Sequence, residues 1–91
     1  MWSRESRMVL EPWVSFMQSN GEVLVFDERE EQVYGIDGPA AEAFLLLQQG
    51  RSVGEVTDAL LEGYDVERSV LEQDLRGALE RVAAHGVCRL E

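Results

Sequence analysis

The sequence has few of the residues from which catalytic, metal and disulfide sites are usually built. It contains one cysteine, Cys88, one histidine, His85, and no lysine. A lone cysteine excludes an internal disulfide, and two N/S ligands are fewer than zinc normally takes. Neither glycine pattern of the phosphate-binding loops occurs, and no carboxylates form a recognisable acid–base arrangement. We therefore predict no metal, no cofactor, no catalytic residue and no stand-alone enzyme.

A long apolar segment is also missing. The longest apolar run, Ala43 to Leu47, is far shorter than the ~20 residues that cross a bilayer. The first seven residues contain no apolar signal core. Together with the single cysteine, these features predict a soluble cytoplasmic protein that binds no membrane.

Positive charge is scarce. Eighteen acidic residues stand against eight arginines, which gives a net charge of −10 at pH 7. A surface this negative repels phosphate backbones, so we expect no nucleic-acid partner. The densest acidic stretch, Asp27 to Glu31, is interpreted as a solvated turn.

The first half of the chain contains strand-forming segments. Trp13–Gln18 and Glu22–Phe26 are rich in β-branched and aromatic residues, and Asn20-Gly21 between them indicates a two-residue hairpin turn. After the acidic turn, Gln32–Ile36 is the third strand. The second strand is apolar on both faces, which predicts a central strand covered on two sides.

The second half is helical, and several residues mark helix ends. Asp37 is a favourable N-cap, and the fixed φ of Pro39 suits a first helical turn. Ser52 and Glu55 form the pattern of a capping box, and Gly86 is placed to end the last helix. Helices are predicted from about Gly38 to Gln49, from Ser52 to Gly63 and from Glu67 to His85.

This order of elements predicts the fold class. A three-stranded antiparallel meander followed by three helices is an α+β layout, and the closely spaced last two helices resemble a winged helix-turn-helix. Residues 12–91 are expected to form one domain. Residues 1–11 show no periodicity and are expected to be a flexible arm, although Trp2, Met8 and Leu10 could dock on the body.

The third helix has one clear core stripe and two borders. At 100° per residue, Leu71, Leu75, Ala78 and Val82 share one face. One border carries Arg68, Glu72, Arg76, Leu79 and Ala83, and the other carries Glu67, Val70, Asp74 and Arg81. A border that mixes apolar residues with arginines is typical both of a groove wall and of any amphipathic helix, so the pattern leaves both interpretations open.

Five segments together resemble one protein family. They are Val23–Asp27, Gln32–Ala41, Leu45–Gly50, Arg51–Val56 and Leu71–Leu75. In order and spacing the chain resembles, from about residue 14 to 88, the PqqD-like proteins. These are the precursor-recognition domains of pathways that make ribosomally synthesised, post-translationally modified peptides (RiPPs). Each motif is short and apolar, so the order of the motifs carries the resemblance.

The resemblance implies a PqqD-like peptide-recognition domain over residues 12–91. Such a domain binds the leader of a precursor peptide as a strand beside the third strand and next to the third helix. It presents that peptide to a tailoring enzyme, such as a radical enzyme or a leader protease. The peptide-binding residues implied here are Gln32, Val33, Tyr34, Gly35, Ile36, Arg68, Leu71, Glu72, Leu75, Arg76 and Leu79.

Two other interpretations remain open on the sequence. A winged-helix DNA-binding regulator would use Arg68, Arg76 and Arg81 of the last helix, although the net charge and the acidic residues on that helix oppose it. A small dimerising interaction subunit would pair the same edge strand across a two-fold axis, which makes a homodimer possible.

Overall fold

Residues 3–91, the part of the chain that the computed structural model describes, form five short strands and three helices. In chain order these are β1 (Met8–Leu10), β2 (Val14–Ser19), β3 (Glu22–Asp27), β4 (Gln32–Asp37), α1 (Gly38–Gln48), α2 (Val53–Gly63), α3 (Arg68–Ala84) and β5 (Cys88–Leu90). Strands β2, β3 and β4 form one antiparallel sheet in that order, and β1 pairs with β5 in a second sheet. The meander followed by three helices confirms the predicted α+β fold.

The turn between β2 and β3 indicates which cross-strand pairs of the sheet are hydrogen-bonded. Both residues of Asn20-Gly21 have positive φ, 49° and 79°, as the predicted two-residue turn requires. Such a turn makes Ser19 and Glu22 a hydrogen-bonded pair, after which bonded and non-bonded pairs alternate. This alternation predicts that Trp13 and Glu28 are a bonded pair, and the N–H of Glu28 indeed donates to the carbonyl of Trp13 at 3.0 Å.

One face of the sheet carries the core. Val23 and Val25 of β3 are fully buried beneath the helices. Phe16 of β2 meets Phe44 of α1 edge to face, with ring centroids 5.3 Å apart and planes at 78°. This geometry is the one that aromatic quadrupoles favour, and it joins the sheet to the first helix.

The other face of the sheet, called here the outer face, corrects one prediction. Leu24 and Phe26 of β3 were expected to be covered by a second layer, but no other element of residues 3–91 packs over them, and they are half-buried. Their cross-strand partners Met17 and Val33 are 51% and 57% exposed. The apolar residues of β3 therefore shield one another through cross-strand pairs rather than under a helix.

The start of α1 matches the prediction in position but not in hydrogen bonding. Asp37 is the N-cap residue and Pro39 lies in the first turn. The carboxylate of Asp37 makes no capping hydrogen bond, so the side chain stays available at the end of β4. Phe44 and Leu47 anchor the helix in the core.

The capping box of α2 is confirmed. The Ser52 hydroxyl accepts from the Glu55 N–H at 3.2 Å, and the Glu55 carboxylate accepts from the Ser52 N–H at 2.9 Å. The hydrogen bond from the Ser52 backbone, followed by that from its hydroxyl, lowers the pKa of Glu55 below its ordinary value. This reciprocal pair fixes where α2 begins.

Helix α3 packs against α1 and α2 and buries most of the predicted stripe. Leu71, Leu75 and Ala78 are buried, and Val82 is half-buried. Gly86, with φ of 77°, follows the helix as predicted. Within residues 3–91, no helix combines the length and apolarity needed to cross a membrane.

Residues 3–11, predicted to belong to a flexible arm, are bonded to the body. Met8 is buried, and β1 pairs with β5 at the far end of the chain. The N–H of Arg7 donates to the Glu91 carbonyl at 2.7 Å, and the N–H of Val53 donates to the Ser6 carbonyl at 2.9 Å. A three-residue strand is too short to show periodicity, so the sequence did not reveal it. Trp2, also considered for docking, lies outside the described residues.

Candidate functional site

The outer edge of β4 has no strand beside it within residues 3–91. Because Glu22, Leu24 and Phe26 bond to β2, the alternate residues of β3 bond to β4, and their partners are Tyr34 and Ile36. The intervening residues of β4 therefore point their backbone N–H and C=O groups outward. These outward-pointing residues are Val33, Gly35 and Asp37. They offer a hydrogen-bonding template to any extended chain that approaches this edge.

A groove of about 700 Å³ runs beside this edge, between β4 and α3. Its size is within the range of ordinary ligand sites, and most of its wall is apolar. It is lined by Val25, Tyr34, Gly35, Ile36, Asp37, Pro39, Ala40, Tyr64, Val66, Leu71, Gln73, Asp74, Leu75, Gly77, Ala78, Arg81, Val82, His85 and Val87.

Tyr34 and His85 close one end of the groove. Their rings stack with centroids 4.2 Å apart and planes at 29°. His85 is the C-cap residue of α3, where the sequence predicts that this helix ends. The stack joins the beginning of β4 to the end of α3, so the strand and the helix run in opposite directions along the groove.

Tyr64 and Val66, in the connection between α2 and α3, line the other end of the groove. The Tyr64 hydroxyl donates to the Glu42 carboxylate at 2.8 Å, and this bond raises the pKa of Tyr64 above its ordinary value. Val66 is 44% exposed and offers apolar surface at the groove mouth.

Small residues widen the groove along α3. Gly77 and Ala78 lie in the middle of the helix where it faces β4. A Cβ added at Gly77 would meet only the Arg81 guanidinium, at 3.8 Å, so open space lies above this position. We call the face formed by Asp74, Gly77, Ala78, Arg81, Val82 and His85 the groove side of α3.

The β4 half of the predicted site agrees with this geometry in part. Tyr34, Gly35 and Ile36 line the groove. Gln32 and Val33 belong to the same open edge but their side chains do not line it. The side chain of Val33 projects to the outer face, opposite Phe26, while its backbone faces the open edge.

The structure brings only part of the helical half of the predicted site to the groove. Leu71 and Leu75 line the groove, but Arg68, Glu72, Arg76 and Leu79 do not. These four lie on what we call the α2 side of α3. Arg68 donates to Asp58 of α2 at 3.0 Å, and Leu79 is only 6% exposed in the core. Glu72 and Arg76 line a separate small cleft together with Arg4.

The helical periodicity of the third helix did not distinguish its two borders, because each border combines charged residues with apolar residues. Packing decides, since α2 and the N-terminal segment cover one border and leave the other beside β4. Asp74 and Arg81 were placed correctly on the second border, but that border was not chosen. Tyr64 and Val66 lie in the connection between α2 and α3, and no pattern in the sequence marks them as groove residues.

Cys88 and His85, the two potential N/S ligands, have separate roles. Cys88 is buried, and burial, followed by the nearby Glu11 charge, raises its pKa to about 11. Such a thiol is a poor nucleophile and a poor metal ligand. Among residues 3–91, no group of three His, Cys, Asp or Glu side chains is arranged to hold a metal ion.

The fold and the groove define a class of protein. A small α+β domain with an open strand edge next to an apolar groove has the architecture of modules that bind extended peptides by strand addition. Residues 22–87 match the family described as coenzyme PQQ synthesis protein D (PqqD), and the chain belongs to this family. No curated protein matches the chain significantly in sequence.

Two solved structures share this fold closely. The structure of TbiB1 in complex with the TbiA(beta) leader peptide superposes with a TM-score of 0.82 at 25% identity, over 88% of this chain and 93% of that one. A lasso peptide synthetase B1 complexed with the leader peptide superposes with a TM-score of 0.83 at 24% identity, over 91% of this chain and 98% of that one. Both similar proteins were solved with a leader peptide bound.

Proposed function

We propose that this chain binds the leader segment of a precursor peptide in RiPP biosynthesis. The leader adds as a strand to the open edge of β4 and packs its side chains into the groove against α3. The observation that carries the proposal is the uncovered edge beside a groove of about 700 Å³. Membership of the PqqD family and the leader-bound state of both structural neighbours support it.

Backbone pairing alone would not hold the leader. About four hydrogen bonds to the open edge contribute ~4 kcal/mol net. Ordering about five peptide residues costs at least ~5 kcal/mol, which cancels that gain. Side chains buried against Ile36, Leu71 and Leu75 must therefore supply the affinity, at ~2 kcal/mol for each well-buried apolar residue. The strand sets the register, and the groove provides most of the binding energy.

The bound leader would then be delivered to a tailoring enzyme, such as a radical enzyme or a leader protease. A strand added to β4 alternates its side chains between the groove and the outer face. The outward half of the leader stays accessible to a second protein while the inward half is held. This division lets one small domain both retain and present its peptide.

The direct test is a titration with the leader of a short precursor encoded beside this chain's gene. The labelled leader should bind with saturable fluorescence anisotropy. Amide resonances of β4 and of the groove side of α3 should shift during an NMR titration. Saturable binding with shifts confined to other surfaces would refute the proposed binding mode.

Two controls address the interpretations that the sequence left open. Mixed-sequence duplex DNA at low salt should not bind, because the net charge of −10 opposes it. Light scattering over a dilution series, with and without leader, reports pairing of β4 between two copies. Tight, salt-sensitive DNA binding would favour the regulator. A dimer whose affinity is unchanged by leader would favour the interaction subunit.

A further inference from the structure

The two ends of the groove differ in charge. Asp74 lines it near the end of β4, whereas Arg81 lines it near the beginning, beside the Tyr34–His85 stack. Among the described lining residues Arg81 is the only arginine. The groove therefore has an acidic end and a basic end, although the protein as a whole is strongly acidic.

The spacing of these charges suits an extended peptide. Asp74 and Arg81 are seven residues apart, two helical turns, so both face β4 and lie about 10 Å apart along the helix axis. In an added strand every second residue faces α3, and such residues are about 7 Å apart for i and i+2 or about 13 Å for i and i+4. Two charged side chains of such a strand can therefore reach Asp74 and Arg81 at once.

The charges on the groove side are not used within the fold. No hydrogen bond or ion pair links the side chain of Asp74 or of Arg81 to another residue of 3–91. Glu22 and Asp37 lie opposite each other on neighbouring strands, and their side chains project to the outer face with Leu24 and not into the groove.

The α2 side of the same helix provides the contrast. There Arg68 bonds to Asp58 at 3.0 Å and approaches Glu72 at 4.0 Å, and Arg4 bonds to Asp58 at 2.9 Å. Charges on that side are matched inside the molecule. Those on the groove side are left for a ligand.

We infer that the groove selects leaders by the order of their charges, an inference that rests on the proposed function. The preferred segment carries Lys or Arg facing Asp74 and, two or four residues further on, Asp or Glu facing Arg81. Antiparallel addition, the pairing used throughout this sheet, brings the N-terminal part of the peptide to Asp37. The basic residue therefore precedes the acidic residue in the selected sequence.

The glutamates of the turn before β4 act against this preference only at a distance. Glu28, Glu30 and Glu31 do not line the groove, and Glu30 lies 3.7 Å from Arg29. Salt screens exposed charges over about 8 to 10 Å, so contacts inside the groove dominate. Solvent-exposed pairs are individually weak, and reversing two of them should change the dissociation constant about 3- to 10-fold.

A displayed library tests the inference without a known leader. Random peptides of ~12 residues, longer than β4, are selected on the intact protein and on the double variant Asp74→Lys/Arg81→Glu, whose net charge is unchanged. Basic-before-acidic peptides should be enriched on the native protein, and acidic-before-basic peptides on the variant. Arg68→Glu/Glu72→Lys makes the same exchange on the α2 side and should retain the native preference.

Synthetic peptides then measure the size of this preference. An enriched peptide and its isomer with Lys and Glu exchanged should differ about 3- to 10-fold in affinity for the native protein, and this ratio should shrink from ~0.05 to ~0.5 M salt. Enriched peptides with no charge order, or with the same order on the groove-side variant, would overturn the inference and leave peptide binding intact. Failure to enrich any peptide on the folded protein would count against the proposed function and the inference together.

Discussion

The two sides of α3 have similar residues but different contacts. The α2 side holds Arg68, Glu72, Arg76 and Leu79, and its ion pairs and packing join it to α2 and to the N-terminal segment. The groove side holds Asp74, Ala78, Arg81 and Val82 and faces the open edge of β4. The comparison teaches that composition does not distinguish a structural surface from a binding surface. The distinction depends on which contacts the fold has already made.

The largest difference between the sides should appear in Leu79→Ala. Leu79 is 6% exposed in the core, so the truncation should lower the free energy of unfolding by about 2–5 kcal/mol. Leader affinity, corrected for the folded fraction, should not change. Urea unfolding and anisotropy measure the two effects. Val82→Ala is the groove-side counterpart and should lower leader affinity more than Leu79→Ala does, with a smaller loss of stability. Equal affinity losses in the two variants would show that the two sides of α3 do not differ in function.

Val33→Pro should weaken leader binding at least about 10-fold with little loss of stability. The Val33 N–H points to the open edge, and proline is tolerated on edge strands where no ladder bond is lost. Tyr34→Pro is the matched control because the Tyr34 N–H bonds to β3, so that variant should unfold more readily. Circular dichroism reports whether each variant is folded, and the titration reports whether it binds leader. Native affinity in Val33→Pro would contradict strand addition.

Gly77→Ala should stabilise the protein by up to about 1 kcal/mol and weaken the leader slightly. Alanine is the better helix former, and its Cβ would meet only Arg81, at 3.8 Å. The methyl group narrows the groove at its middle. Thermal unfolding measures the change in stability of this variant, and anisotropy measures the change in its leader affinity. A Gly77→Ala variant that is less stable than the native protein would show that this part of the groove is already filled.

The smallest effect concerns the ion pairs of the α2 side at low pH. The hydrogen bond from Arg68, followed by that from Arg4, lowers the pKa of Asp58 below its ordinary value of 3.8. A lowered folded pKa means that these pairs stabilise the protein above about pH 4 and lose that contribution as the pH falls through the folded value. Asp58→Asn should flatten this part of the stability profile. At pH 7 the variant should bind leader normally, and weakened binding would link the α2 side to the groove.

The sequence predicted the local structure well because each signal acts within a few residues. Ser52 and Glu55 form their box, Asn20-Gly21 forms the hairpin, and Gly86 follows α3. The open edge of β4 was also predicted. These features depend on short-range backbone geometry, which a single sequence displays directly.

The features that the sequence did not predict depend on contacts between distant segments of the chain. Nothing local indicated that β1 would pair with β5, since each is three residues long and they lie at opposite ends of the chain. The groove border was missed for the same reason, because Arg4 and Asp58 cover one side of α3 from other parts of the chain. Tyr64 and Val66 reach the groove only because of the path that the chain takes between α2 and α3.

The absence of a side chain at Gly35 has a consequence for the assembled complex. Gly35 interrupts the row of outer-face side chains on β4, and the Glu22 carboxylate reaches across the gap, with Oε2 3.0 Å from where a Cβ would stand. An added strand would place one outward-facing residue beside this gap, within reach of the exposed Glu22 side chain. Under the proposed function, the domain and its peptide would then form a joint surface at this position that neither possesses alone.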